Sequence, residues 1–415
     1  MSTATDRLAL FAGTGVELEF MIVEAATLAV RPISDEMIRA VTGAYQSDVE
    51  RGEFCWSNEL VLHVIELKTN GPARSLGHLA RGFQTEVNEV NRRLASLGAR
   101  LMPTAMHPWM DPHAETRLWP HEYSAVYEAY NRIFGCQGHG WSNLQSLHLN
   151  LPFANDAEFA ALHAAVRALL PILPALAASS PVMDARTTGW LDNRLAVYRT
   201  NSAKIPSLTG RVIPEPVFSE DDYHREIYQR IYADIAPHDP EGVLRDEFLN
   251  SRGAIARFGR GSIEIRVLDV QECPLADLAI TELIVETLRA LAAERWLSLD
   301  RLKALPTERL EQIFLATAKD GEAATVADPD YLEIFGWQSG QACRATDLWR
   351  WIAAELAVRS RLAPDAVRAL DLILERGTLA RRILRRLGGN CSRARLQETY
   401  GQLCDCLAAG RLFEA

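Results

Sequence analysis

Four short stretches of this 415-residue chain put acids, amide, imidazole or guanidinium at every second position, with apolar residues between them. They are Val16-Glu17-Leu18-Glu19-Phe20, Val64-Ile65-Glu66-Leu67-Lys68, Ser146-Leu147-His148-Leu149-Asn150-Leu151 and Ile263-Glu264-Ile265-Arg266-Val267. A period of two is that of a strand, so Glu17 and Glu19 share one face, as do His148 and Asn150, and Glu264 and Arg266. Carboxylates crowded on one face repel one another unless a cation sits between them. Mg2+ takes oxygen ligands and bridges carboxylates to substrate phosphates, so Glu17, Glu19, Glu66 and Glu264 are the candidate metal ligands. For any one strand alone, a solvated face is the competing reading. His148 suits either a metal shell or a hydrogen bond to a bound nucleotide, and Asn150 suits a phosphate or carboxylate oxygen. Glu59 and His63 are weaker candidates.

Arginines stand beside the same segments: Arg194 in DNRLAVY, Arg252 and Arg257 in NSRGAIARF, and Arg266 in EIRV. Their planar forks match carboxylate and phosphate, and phosphoryl transfer needs positive charge where negative charge accumulates. The run Arg376, Arg381, Arg382, Arg385 and Arg386 instead predicts a solvated helix face, because Leu379, Ile383 and Leu387 mark its buried side. The glycine-rich phosphate loops, H-E-x-x-H and G-x-S-x-G are missing, and FAGTG at 11–15 leads into a strand. ATP, if used, must therefore be held on a sheet through metals and arginines.

The elements that must position these groups follow from periodicity. Leu76, Leu79, Phe83, Val87, Val90, Leu94 and Leu97 predict an amphipathic helix ending at Gly98. Asn155-Asp156 are N-cap candidates for a second helix running towards Pro171. Residues 181–218 read as a long functional loop region. After Pro274 the pattern is helical almost throughout. This predicts an α+β fold, with a catalytic sheet body over 1–274 and a helical part over 275–415 packed on it, or both as one continuous domain. Trp349, Trp351, Leu370, Ile373 and Phe413 fill either a core or a subunit interface, so a homo-oligomer stays open.

The chain is 48% hydrophobic with net charge −10, which argues against nucleic acid or an anionic membrane surface as partner. No apolar run reaches the roughly 20 residues of a membrane span, and the first residues lack a signal-peptide pattern. Seven scattered cysteines without C-x-x-C fit free thiols in a reducing cytosol, so a cytoplasmic location is expected.

The opening GVELEFMIVEAATLAVRPISDEM, followed in order by VIELKT, TAMHPW, the H-x-N strand, LAASSPVMDARTTGWLDNRLAVYRT and GSIEIRVLD, resembles the carboxylate–amine ligases of the glutamate–cysteine ligase type 2 family. The resemblance spans about residues 14–271. It implies a glutamine-synthetase-like fold, a mainly antiparallel half-funnel sheet holding Mg2+ (or Mn2+) and ATP. It implies amide formation through an acyl phosphate, with glutamate's γ-carboxylate and cysteine or another amine as small-molecule substrates. By motif, Glu17, Glu19, Glu66 and Glu264 resemble metal ligands, with His148 and Asn150 beside them. Arg194 and Arg266 resemble phosphate or carboxylate clamps, and His107 falls at a recurrent family position. One departure is the central strand, where members of the bacterial branch often carry two histidines in place of His148 and Asn150. An amino-acid or guanidino kinase on the same fold, and a non-catalytic homologue, are the alternative readings.

Overall fold

The four alternating stretches become four neighbouring strands. In the computed structural model, which describes residues 7–337 and 341–415, eight strands build one sheet. The strands are β1 (Gly15–Glu24), β2 (Asp48–Arg51), β3 (Phe54–Asn58), β4 (Val64–Thr69), β5 (Ala99–Met102), β6 (Ser146–Pro152), β7 (Ala254–Arg257) and β8 (Ser262–Asp269). Their order is β2-β3-β4-β1-β6-β8-β7, every pairing is antiparallel, and β5 pairs with the far half of β1. Residues 1–6 of the expected 1–274 body and 338–340 of the 275–415 part lie outside the described residues.

Register decides which side chains meet. Glu17 lies between Lys68 and His148, Glu19 opposes Glu66, and Glu264 opposes Asn150. The pairing of β8 with β6 slips between Ile265 and Leu268, a bulge that leaves Arg266 N free to donate to Gly253 O at 2.9 Å. Bulges re-aim side chains beside functional sites, and this one carries Arg266.

The other sheet face supplies the core. Val16, Leu18, Phe20, Ile65, Leu67, Leu147, Leu149, Leu151, Ile263 and Ile265 are buried against helices Leu79–Ala95, Asp156–Leu169 and Pro274–Ala292. Helix Asp156–Leu169 begins where predicted, since the Asn155 side chain accepts from Glu158 N. Helix Leu79–Ala95 is shorter than predicted at both ends: Leu76 sits in the preceding turn, and Leu97-Gly98 form a turn with Gly98 at φ +69°. Gly82 on that helix faces Phe54, whose ring would lie 2.2 Å from an added Cβ. The ring is also held edge-on by Phe83 at 4.9 Å. Gly82→Ala gains up to about 1 kcal/mol of helix propensity but overpacks at a cost of about 1–3 kcal/mol. A net loss of stability is expected in denaturant titration; a stabilised variant would show that the ring moves freely.

The same core continues into the C-terminal helices through Leu348, Trp349, Ile352, Leu370 and Ile373. A second core joins Met21, Val23 and Met102 to Leu379 and Ile383 of helix Leu379–Leu387 and to Leu396, Tyr400 and Leu403 of helix Arg393–Ala409. Trp349, Leu370, Ile373 and Phe413 are thus covered within the chain, and Trp351 is half-buried. The arginine run corrects the sequence expectation at one position. Arg376 and Arg385 are exposed, but Arg382 is fully buried, because Glu272 and the carbonyl of Phe413 meet its guanidinium inside the fold.

Candidate active site on the polar sheet face

The polar face gathers its acids into two overlapping groups. Ligand atoms of Glu17, Glu66 and His148 lie within 4.8 Å of one another, and so do those of Glu19, Glu59 and Glu66, with Glu66 common to both. The sheet fixes three of these acids by register. Glu59 stands one residue beyond the end of β3. It lies outside any alternating stretch, so local pattern does not mark it, and only the fold brings it in. Lys68, which follows Glu66 at i+2 on the same face, was not singled out from the sequence, though its alternation carried the signal. Its ammonium lies 2.9 Å from Glu66 and 3.3 Å from Asp48, and it donates to Ser57 at 2.8 Å.

Neighbouring donors hold the acids in place. Asn150 Nδ2 donates to Glu17 at 3.0 Å, and His148 Nδ1 lies 3.1 Å from the other Glu17 oxygen. Both the main-chain N–H and the hydroxyl of Ser146 donate to Glu19, at 2.7 and 2.8 Å. The Ser57 hydroxyl donates to Glu66 at 2.5 Å. Glu264 has a different set of partners. It reaches the face, but Arg257 Nη1 at 3.0 Å and Arg266 Nε at 3.2 Å occupy its two oxygens. It belongs to neither acid group, and it positions two arginines.

Charge follows from this geometry. Burial first, then mutual repulsion, raises the carboxyls of Glu17, Glu19, Glu59 and Glu66 above the usual range. Burial pushes Glu264 the same way, but Arg266, His148 and Arg257 outweigh it and the net direction is down. An oxygen-rich donor set with more negative charge than its cations balance fits Mg2+ or Mn2+, and the imidazole of His148 is acceptable to Mn2+. Glu17, Glu19, Glu59, Glu66 and His148 are the residues that would hold such ions.

A pH dependence follows. A carboxyl raised in the fold contributes stability below its unfolded value near 4.5, and that contribution is lost as pH climbs through the folded value. The cation-free protein should therefore lose stability as pH rises through that window. Mg2+ has to displace the same protons, so its apparent affinity should rise by up to about tenfold per pH unit for each proton released. Thermal shifts with Mg2+ that do not change with pH would contradict this.

Two chambers meet at the acids. One, of about 720 Å³, is bordered by Glu19, Glu59, His148, Arg194, Arg257 and Arg266, with an aromatic wall of Tyr127, Tyr130, Trp141, Tyr198 and Phe248. The other, of about 600 Å³, is bordered by Glu17, Lys68, Asn150, Arg7 and Thr69. Arg260, in the turn between β7 and β8, borders both. Sequence reasoning missed it, because a turn arginine has no periodic signal, and it missed the aromatic wall, whose residues come from four separate helical elements.

Arg194 comes from helix Asn193–Tyr198, an ordered element inside the expected 181–218 loop. It is buried, donates to Arg266 O at 2.7 Å and lies 3.5 Å from Asp269. Arg252 is not brought to the site. Its fork is taken by Glu215 at 2.5 and 2.6 Å and by Ser207 O at 3.1 Å, beside a separate depression. His107 is also internal: its Nε2 meets Leu28 O at 2.8 Å, and burial pushes its imidazole down to about 3. His63 Nε2 likewise meets Ser142 O at 2.7 Å. Among the described residues no helix is long and apolar enough to cross a membrane.

Comparison with known proteins gives a consistent picture. The model of glutamate–cysteine ligase family 2 matches residues 14–404. An uncharacterized protein of Archaeoglobus fulgidus is 37% identical over 276 residues, covering 66% of this chain and 74% of its own length. A Salinispora tropica protein named as a candidate glutamate–cysteine ligase 2 is 28% identical over 90% of both chains. The crystal structure of a Francisella tularensis glutamate–cysteine ligase in complex with AMP superposes with a TM-score of 0.54 at 13% identity, covering 98% of this chain and 94% of that one. The fold is thus shared with that ligase.

Proposed function

We propose that this chain, which belongs to glutamate–cysteine ligase family 2 and is a ligase of that type, uses ATP and Mg2+ to join a carboxylate to an amine through an acyl phosphate. The observation that carries the reading is the pair of acid groups sharing Glu66, set between two chambers and flanked by arginines. A carboxylate is a poor acylating agent. Attack of its oxygen on the terminal phosphorus of ATP releases ADP and leaves an acyl phosphate; attack of the amine nitrogen on the acyl carbon then releases phosphate and a proton. Divalent cations at the acids would neutralise phosphate charge. The protein's own groups bind, orient and exclude water.

We assign the larger chamber to the amino-acid substrates. Arg194 and Arg266 suit carboxylates, Glu59 suits an ammonium group, and the aromatic wall excludes water. The smaller chamber, with Arg7, Lys68 and Arg260 and the bare backbone of Gly15, Gly71 and Gly261 on its walls, suits a polyphosphate. Glutamate as acid and cysteine or another amine as acceptor are the substrates we propose. We also propose a cytoplasmic location, on seven cysteines that are all free.

The test is ADP release by purified protein with Mg2+ and ATP across a panel of acid–amine pairs, with hydroxylamine added to trap the acyl phosphate as a hydroxamate. Release that needs the acid, and an amide product that needs the amine, are expected. No amino-acid-dependent release anywhere in the panel would defeat the reading, and a phosphorylated acceptor without amide would indicate a kinase.

A further inference from the structure

Part of the C-terminal arginine run, which the reaction does not use, faces a cavity of its own. This depression, of about 170 Å³, shares no bordering residue with either chamber. Arg344, Arg350, Arg376 and Arg385 border it. Three helices bring them together. Arg344 directly precedes helix Ala345–Glu355, Arg350 stands within it, Arg376 ends helix Pro364–Arg376, and Arg385 lies in the last turn of helix Leu379–Leu387. The acids beside them do not balance this charge. Glu322 is taken by Arg381 at 2.6 Å, and Glu375 makes no ion pair among the described residues. Arg350 donates to Asp347 at 3.1 Å and to Leu374 O at 2.6 Å. The side chains of Arg344, Arg376 and Arg385 have no hydrogen bond or ion pair among the described residues. A helix dipole explains a cation in a last turn, as at Arg376 and Arg385, but it opposes one ahead of a first turn, as at Arg344. The concavity therefore concentrates positive potential in a chain whose net charge is −10.

We propose that this depression is a second anion site, outside the catalytic face, for a phosphate anion of the size of diphosphate. Guanidinium forks match phosphate oxygens, and forks arriving from three helices suit a tetrahedral group, whose oxygens point in several directions, better than a planar carboxylate. The volume is below the roughly 300 Å³ at which sites for drug-sized ligands begin, so it suits the anion itself over a whole nucleotide. Bound there, the anion ties the three helices to one another. Glu322 extends the link to the start of helix Leu379–Leu387, because it accepts from the Thr378 hydroxyl at 3.0 Å as well as from Arg381. Ligand that binds only the folded chain stabilises this C-terminal part by mass action.

Calorimetric titration of the full chain with sodium diphosphate, without Mg2+ and at constant ionic strength, tests the site. The double variant Arg376→Ala/Arg385→Ala should bind at least about tenfold more weakly than the parent, since it loses two charge-assisted donors. Arg344→Gln, in another element, should weaken binding in the same direction. Arg260→Ala separates this site from the smaller chamber, which Arg260 borders, and should leave the affinity unchanged. Arg376 and Arg385 are exposed and unpaired, so without diphosphate the double variant should melt no lower than the parent. Added diphosphate should raise the melting temperature of the parent and not that of the double variant. Equal affinity in parent and double variant, no binding to the parent, or loss of binding in Arg260→Ala would each overturn the proposal. Malonate binding as tightly as diphosphate would overturn the assignment to phosphate. None of these readouts depends on the ligase reaction.

Discussion

Glu66→Gln is expected to abolish cation binding at both acid groups at once and to lower kcat/KM by at least about 10³-fold, roughly 4 kcal/mol of transition-state stabilisation. The size comes from sharing. Glu17, Glu19 and Glu59 each belong to one group, and Glu66 belongs to both, so one neutralisation removes a ligand from each. The fold should survive the change. Ser57 still has a polar partner at residue 66, and Lys68 keeps Asp48 within 3.3 Å. Burial and Glu17 raise the Glu66 carboxyl, so without cations the variant should melt no lower than the parent near neutral pH. Calorimetric Mg2+ titration beside the melting curve separates the two effects; unchanged Mg2+ binding would remove Glu66 from the metal set. Glu264→Gln should behave differently. It frees Arg257 and Arg266 and removes a neighbouring charge from Glu17 but no member of either acid group, so Mg2+ binding should weaken less than in Glu66→Gln while anion binding and turnover suffer.

Arg382→Ala is expected to cost about 3–5 kcal/mol of stability, since it strands a buried carboxylate. Arg382 and Glu272 are both fully buried and meet at 2.5 Å. Arg382 Nη1 also donates to Phe413 O at 2.6 Å, and Phe413 N donates to Glu272 at 3.2 Å. The variant therefore loosens residues 412–415 as well as the helix of Arg382. Replacing both charged partners by leucine should cost less than the single change, because no unpaired charge remains. Denaturant midpoints of the three variants decide it: a single variant within about 1 kcal/mol of the parent would show that water reaches Glu272.

Much of this was legible because strands have a period of exact two-fold alternation, and the polar face therefore announces itself. Glu17, Glu19, Glu66, His148, Asn150 and Arg266 all reach the common face, as alternation demands. Glu59 and Arg260 come from a strand end and a turn, where no repeat marks them. Arg252 and Arg382 failed in the opposite sense. Each has the composition of a clamp or a surface charge, but its partner, Glu215 or Glu272, lies 37 or 110 residues away in sequence. Pairing over such distances is decided by packing, which local pattern does not encode. Glu264 reaches the face as alternation demands, and the two arginines that converge on it meet it only once β7 and β8 pair.

The order of strands has a consequence for how the chain reaches this state. β1, at the centre of the sheet, comes first in sequence, and its partner β4 follows within residues 15–69, so Glu17, Glu19, Glu59 and Glu66 can assemble from a short meander. His148, Asn150, Arg257, Glu264 and Arg266 belong to β6, β7 and β8, and they join only across the β1–β6 seam, where Glu17 pairs with a residue 131 positions away. Closing that loop adds an entropic cost that the short meander does not carry. The sheet is thus stitched from an early half rich in acids and a late half rich in arginines. Divalent ions present during refolding would engage the first half before its natural counter-charges arrive, and so act on the rate of assembly as well as on its end point.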